Sequence, residues 1–255
     1  MSDTASDPPD GSRNIRLTLS YDGTRYHGWQ YQPNAVTVQS VVQEAVEKIV
    51  DHDVKIVGGA RTDAGVHAMG QVINFYTIKT IAENNLIRGI NSRLPPDIRV
   101  IDAQDVARDF HARYSAKSKV YVYCILNRVC NSPFLSRYAY NVPHVLDVAA
   151  MRETVKTVIG KHDFSAFKKK DEFYRNPVRA VLKATAVSRR DMVYIVIEAT
   201  GFLRYMVRNI SGTLLLVGQG KITKSDFGAI LESREREKAG PTAPPHGLFL
   251  KEIKY

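Results

Sequence analysis

Cysteine is almost absent from this chain: Cys124 and Cys130 are the only two in 255 residues. Two thiols cannot build a disulfide framework, and no Cys/His spacing matches a zinc site. No apolar run approaches the roughly 20 residues that span a bilayer. A Walker phosphate loop, a G-x-G-x-x-G element and a G-x-S-x-G elbow are missing too, so nucleoside triphosphate use and serine hydrolysis are unsupported. A reducing cytoplasm is the simplest setting. Residues 1–13 are rich in Ser, Asp, Pro and Gly and lack an apolar stretch. They read as a disordered tail and not as a signal peptide.

Positive charge is what the chain has in excess. Lys and Arg number 36 against 26 Asp and Glu, a formal charge of +10 with a pI near 9.5. Such a surface suits a polyanion, nucleic acid above all; a basic surface serving only solubility is the alternative. The cations crowd one region, with Lys168, Lys169, Lys170, Arg175, Arg179, Lys183, Arg189 and Arg190 close in sequence. Hydrophobic content of 44% and charged content of 24% are ordinary for a globular chain, long enough for one large or two medium domains.

Periodicity supplies the outline. Ile15, Leu17, Leu19 and Tyr21 alternate with polar residues and predict a half-buried strand. Thr37 caps a helix with apolar Val38, Val41, Val42, Ala45, Val46 and Ile49. Short strands are expected over 54–58, 71–77 and 98–102, with a helix over 81–92. A second round follows: a strand over 119–126, a helix after Asp147, a hairpin of 181–188 with 193–200, an apolar helix over 202–217 and a last strand over 248–253. The pattern is α+β with an internal pseudo-repeat. Its halves are placed at 14–106 and 107–255, and a cleft between halves is a natural site.

The most informative segment is Arg61-Thr62-Asp63-Ala64-Gly65-Val66-His67-Ala68, preceded by Gly58-Gly59. A carboxylate beside an arginine stays ionised, and glycines allow close approach of a bulky substrate, so Asp63 is a candidate nucleophile or base. An ordinary turn with a surface ion pair is the alternative. Tyr121 and Tyr123 lie on a strand, where packing is the common role and base stacking the functional one. Arg204 and Arg208 are expected on one face of the 202–217 helix, where a partly buried guanidinium needs a carboxylate such as Asp63. Residues 239–248 read as an ordered loop delivering Leu248 and Leu250 to a core or site wall. His67 and His111 are expected to make structural hydrogen bonds, with no metal.

Several motifs in order over 15–255 resemble the tRNA pseudouridine synthase A family. They are Tyr21-Asp22-Gly23-Thr24 with His27-Gly28-Trp29-Gln30; Arg61 to Ala68 with Gly70-Gln71-Val72; Phe110-His111-Ala112-Arg113; Gly160, His162-Asp163-Phe164 and Phe167; Met206-Val207-Arg208-Asn209-Ile210; and Gly240-Pro241-Thr242-Ala243-Pro244. The resemblance implies isomerisation of uridine to pseudouridine in the tRNA anticodon arm, at positions 38, 39 and 40, without metal or nucleotide cofactor. It implies Asp63 as catalytic aspartate, Arg61 filling the space left by the flipped base or steadying the backbone, Tyr121 stacking on the uracil, and Arg208 pairing with Asp63. Lys168, Lys169, Lys170 and Leu248 are then expected to help bind RNA. Also implied are a homodimer and the pseudouridine-synthase fold, two ferredoxin-like halves in a continuous, largely antiparallel sheet with helices on one face. Two departures stand out. Ala60 replaces the usual glycine, so its backbone must avoid positive φ, and Val178-Arg179-Ala180 is a loose version of the usual Val-Arg-Thr. The rival reading is a non-catalytic tRNA-binding chaperone; a nucleoside hydrolase would need a second carboxylate, with Asp22 and Asp163 as candidates.

Overall fold

Alternation decides the first strand. In the computed structural model, which describes residues 11–255, Ile15, Leu17, Leu19 and Tyr21 all face the core from β1 (Arg13–Tyr21). Most of the tail expected over 1–13 lies outside the described residues, and Arg13 already belongs to the strand. The chain divides into two compact units, one ending at Ala116 and taking in Tyr255, the other Lys117–Lys254.

The first unit continues with α1 (Val38–Val50), β2 (Val57–Gly58), β3 (His67–Thr77), α2 (Glu83–Arg93) and β4 (Ile98–Val106). Its sheet runs β4-β1-β3, with β2 on β3, and every pairing is antiparallel. Thr37 caps α1 as expected: its Oγ1 accepts the Ser40 N–H at 3.2 Å, and its own N–H reaches Ser40 Oγ at 3.2 Å. The helix buries Val38, Val42, Ala45, Val46 and Val50, each valine contributing about 1.5–3 kcal/mol of transfer free energy.

The second unit holds β5 (Ser118–Leu126), β6 (Tyr140–Asn141), α3 (Val148–Val155), β7 (Gly160–Asp163), β8 (Val178–Arg189), β9 (Met192–Ala199), α4 (Met206–Gly218), α5 (Lys224–Ser233) and β10 (Leu248–Lys254). Its sheet runs β10-β5-β9-β8-β7 and is antiparallel, with the short β6 parallel to β5. Helices α3, α4 and α5 pack together, α3 against β8 and α4 against β5. With α1 and α2 they make five α-helices among the described residues.

Three differences from the sequence reading have local causes. The β8–β9 turn is tighter than expected, because Arg190 adopts a left-handed φ of 52° and leaves two residues between the strands. Helix α5 escapes periodicity because it buries only Phe227 and Leu231; its readable signal is the Thr223–Asp226 capping box. Helix α4 starts at Met206 instead of Phe202, since Tyr205 takes φ 67° and ψ −2° and Met206 N–H closes a turn onto the Leu203 carbonyl at 3.1 Å. Arg204 therefore lies before the helix, and the expected i, i+4 pairing with Arg208 on one helix face does not form.

Candidate active site

The residues picked out by sequence fall in both units: Arg61 and Asp63 in the first, Tyr121, the lysine run, Arg208 and Leu248 in the second. Asp63 sits in the connection from β2 to β3, and nearly every neighbour in that connection is tied down. The buried Gln71 side chain accepts the Ala60 N–H at 3.1 Å and donates to the Ala60 carbonyl at 2.7 Å. These are the bonds an adjacent strand would otherwise make. Ala60 is buried and stays out of the left-handed region, which is why alanine is tolerated there. Thr62 is buried, its hydroxyl 2.8 Å from the Tyr21 hydroxyl, and its carbonyl accepts the Trp29 N–H at 3.0 Å. Burial pushes the Tyr21 phenol well above its ordinary pKa, so it acts as a neutral hydroxyl. Val66 N–H then returns to the Asp63 carbonyl at 3.1 Å, and Gly65 turns the chain at φ 75°.

A second segment cradles this connection so closely that only glycine fits. A Cβ on Gly23 would lie 2.0 Å from the Val66 carbonyl oxygen, and one on Gly28 would lie 2.7 Å from the Thr62 carbonyl oxygen. Gly28 also has φ +90°. Asp63 is thus half-exposed between two buried anchors, Thr62 and Val66, on a backbone gripped from both sides. Arg61 is exposed and forms no ion pair among the described residues, so the local Arg61–Asp63 pair that the spacing suggests is not made. His67 lies in β3, not in the loop, and its buried Nδ1 accepts the Gly23 N–H at 3.1 Å. Asp22 Oδ1 lies 3.1 Å from the same nitrogen.

In the second unit Tyr121 lies on β5 between Leu250 of β10 and Ile197 of β9. It is 7% exposed and meets Phe202 edge-on, ring centroids 4.9 Å apart. Leu248 is buried at the start of β10, paired with Tyr123. Arg208 occupies the first turn of α4, where its Nε donates to the Ala243 carbonyl at 2.8 Å and Ala243 N–H returns to the Arg208 carbonyl at 3.2 Å. Its guanidinium carbon lies 4.5 Å from the Tyr205 ring centroid. The lysine run divides its tasks. Lys168 donates to the Glu172 carbonyl at 2.6 Å, Lys169 lies 5.9 Å from the Tyr205 ring centre, and Lys170 is 3.8 Å from Glu237.

Asn209 has a place in a sequence motif but no role assigned from sequence. It is fully buried and saturates its amide: Nδ2 donates to the Phe167 and Lys168 carbonyls at 2.8 Å each, and Oδ1 accepts from Thr242 at 2.6 Å and Arg236 at 3.1 Å. It joins the lysine segment and the 239–248 loop to the helix that carries Arg208. A polar side chain within so apolar a helix was the readable signal, because buried amides require partners. Asp22 and Asp163, the candidate second carboxylates, are occupied with turns: Asp22 caps Thr24 at 2.9 Å and Asp163 caps Ser165 at 2.9 Å.

Comparison with known proteins bears on what this arrangement serves. The profile of the tRNA pseudouridine synthase family matches residues 18–115 and 154–255. Relatives named tRNA pseudouridine synthase A include one from Thermoanaerobacter sp. (strain X514), 48% identical over 243 residues, which are 95% of this chain and 100% of that protein. Another, from Caldicellulosiruptor saccharolyticus, is 44% identical over the same shares; one from Myxococcus xanthus is 43% identical over 94% of this chain and 91% of its own. Among solved structures, the archaeal box H/ACA sRNP Nop10–Cbf5 complex matches at 14% identity and a TM-score of 0.33, covering 88% of this chain and 60% of that one, a likeness too low to carry argument. No helix among the described residues is long and apolar enough to cross a membrane. The chain belongs to the tRNA pseudouridine synthase family, isomerases that convert uridine to pseudouridine in tRNA.

Proposed function

We propose that this chain modifies uridines of the tRNA anticodon arm, at positions 38, 39 and 40, with Asp63 as the catalytic carboxylate. The target nucleotide leaves its stack, Tyr121 receives the uracil, and Arg61 takes the vacated space or steadies the backbone. Arg208 keeps the carboxylate ionised and oriented. Asp63 attacks C1′ or removes a neighbouring sugar proton. Either way the C1′–N1 bond breaks, the uracil rotates, C1′ bonds to C5, and the C5 hydrogen leaves as N1 gains one. Nothing is added or lost overall, so the chemistry needs no metal or nucleotide cofactor. Lys168, Lys169, Lys170 and Leu248 contribute to RNA binding, and the working form is a cytoplasmic homodimer.

One observation carries the reading: Asp63 is a half-exposed carboxylate on a backbone immobilised by Gln71, Tyr21, Trp29, Gly23 and Gly28. Preorganisation of that kind suits a group that must meet a reacting atom, because misplacement by about 1 Å can cost about a hundredfold in rate. The test is tritium release from [5-³H]uridine-labelled tRNA. Wild-type protein should release label, and Asp63→Asn should release none while binding tRNA within a few-fold of wild type. No release by a folded, tRNA-binding wild type would favour the chaperone reading.

A further inference from the structure

Tyr205 has the dihedrals of the third position of a type II turn, φ 67° and ψ −2°, a place that ordinarily takes glycine or asparagine. A bulky aromatic residue there is an outlier, and outliers of this kind cluster where function requires them. The turn has no need of a ring, since it is closed by backbone, Met206 N–H onto the Leu203 carbonyl at 3.1 Å. The side chain supplies no cap to α4 either. What the ring does touch is cationic: the Arg208 guanidinium carbon lies 4.5 Å from its centroid, that of Arg204 5.5 Å, and Lys169 Nζ 5.9 Å.

We infer that Tyr205 is a positioning residue for Arg208, its ring supporting the guanidinium from one face while the Ala243 carbonyl holds the Nε edge. The inference rests on the role proposed above for Arg208. A planar guanidinium restrained on a face and at one edge has its remaining N–H fork aimed in a single direction. Lysine could not be aimed that way, because an ammonium has no plane to support. The left-handed backbone at Tyr205 is what brings a ring from just before the helix back over its first turn. A tyrosine in helical conformation would extend α4 and carry the ring elsewhere.

The test uses two substitutions that separate ring from backbone. Tyr205→Asn suits the left-handed conformation, so its melting temperature should equal or exceed wild type. Its single-turnover rate of tritium release should fall about tenfold or more, with tRNA Kd within about twofold, as expected when an oriented charge is lost without binding area. Tyr205→Phe keeps the ring and should stay within about twofold of wild type in rate. Wild-type rate in Tyr205→Asn would overturn the inference. So would equal loss in Tyr205→Phe, a rate loss matched by weaker tRNA binding (an RNA contact), or a marked drop in melting temperature (a packing role). Failure of the parent reading looks different: Arg208→Gln would then retain full turnover whatever Tyr205 does.

Discussion

Replacing Gly28 with alanine should disable the Asp63 loop without touching any group that takes part in the chemistry. Two costs arise. The left-handed φ of +90° costs an L-residue about 1–2 kcal/mol. The new Cβ would lie 2.7 Å from the Thr62 carbonyl oxygen, where ordinary contact starts at 3.4 Å, so the loop must retreat by 3.4 − 2.7 = 0.7 Å. Overpacking of that kind costs about 1–3 kcal/mol. Together they come to about 2–5 kcal/mol. Gly220 provides the control: its φ of +68° carries the first cost, and nothing lies within 4 Å to produce the second. At about 2–4 °C per kcal/mol for a chain of this size, Gly28→Ala should melt about 2–12 °C below Gly220→Ala. Displacing the carboxylate by most of an ångström should also slow tritium release about ten- to a hundredfold, while Gly220→Ala keeps wild-type turnover. Scanning calorimetry and single-turnover release on both variants decide it. Equal melting shifts, or full turnover in Gly28→Ala, would refute the claim that close backbone contact fixes the Asp63 loop.

Two further outcomes follow from single contacts. Tyr121→Phe should keep most of its activity and Tyr121→Leu should lose most of it, since stacking on a base is worth about 1–3 kcal/mol; equal single-turnover rates would remove the stacking role. Glu198 accepts from Lys254 at 2.9 Å and Ser118 at 2.7 Å, bonds that hold its carboxyl below the ordinary value of 4.5. A depressed folded value contributes stability above the unfolded pKa that disappears as pH falls through the folded one. Wild type should therefore melt above Glu198→Gln near neutral pH, and the gap should shrink by about pH 3; a gap constant with pH would show that the ionised carboxylate is not the stabilising form.

Period and capping determined much of this protein from sequence alone. Buried Ile15, Leu17 and Leu19 repeat every second residue, and Thr37 precedes an apolar helical stripe, so β1 and α1 were legible because both signals act over neighbouring residues. Asp63 stood out by its arginine- and glycine-flanked segment, Tyr121 as a strand tyrosine and Arg208 as an arginine in an apolar helix, and the resemblance then implied their roles. The environment of each was decided only by tertiary structure. The apparent helix from Phe202 starts late because a left-handed backbone at Tyr205, invisible to hydropathy, intervenes. Gln71 pairs with Ala60 across eleven residues, and Asn209 joins Lys168 to Thr242 over a span of more than seventy. Contacts between residues so distant in sequence leave no periodic trace, since each requires only one polar side chain whose partners the fold must bring to it. Gly23 and Gly28 stand in the sequence only as members of short motifs; that they are glycine because another backbone passes within a methyl group's reach is a fact of packing alone.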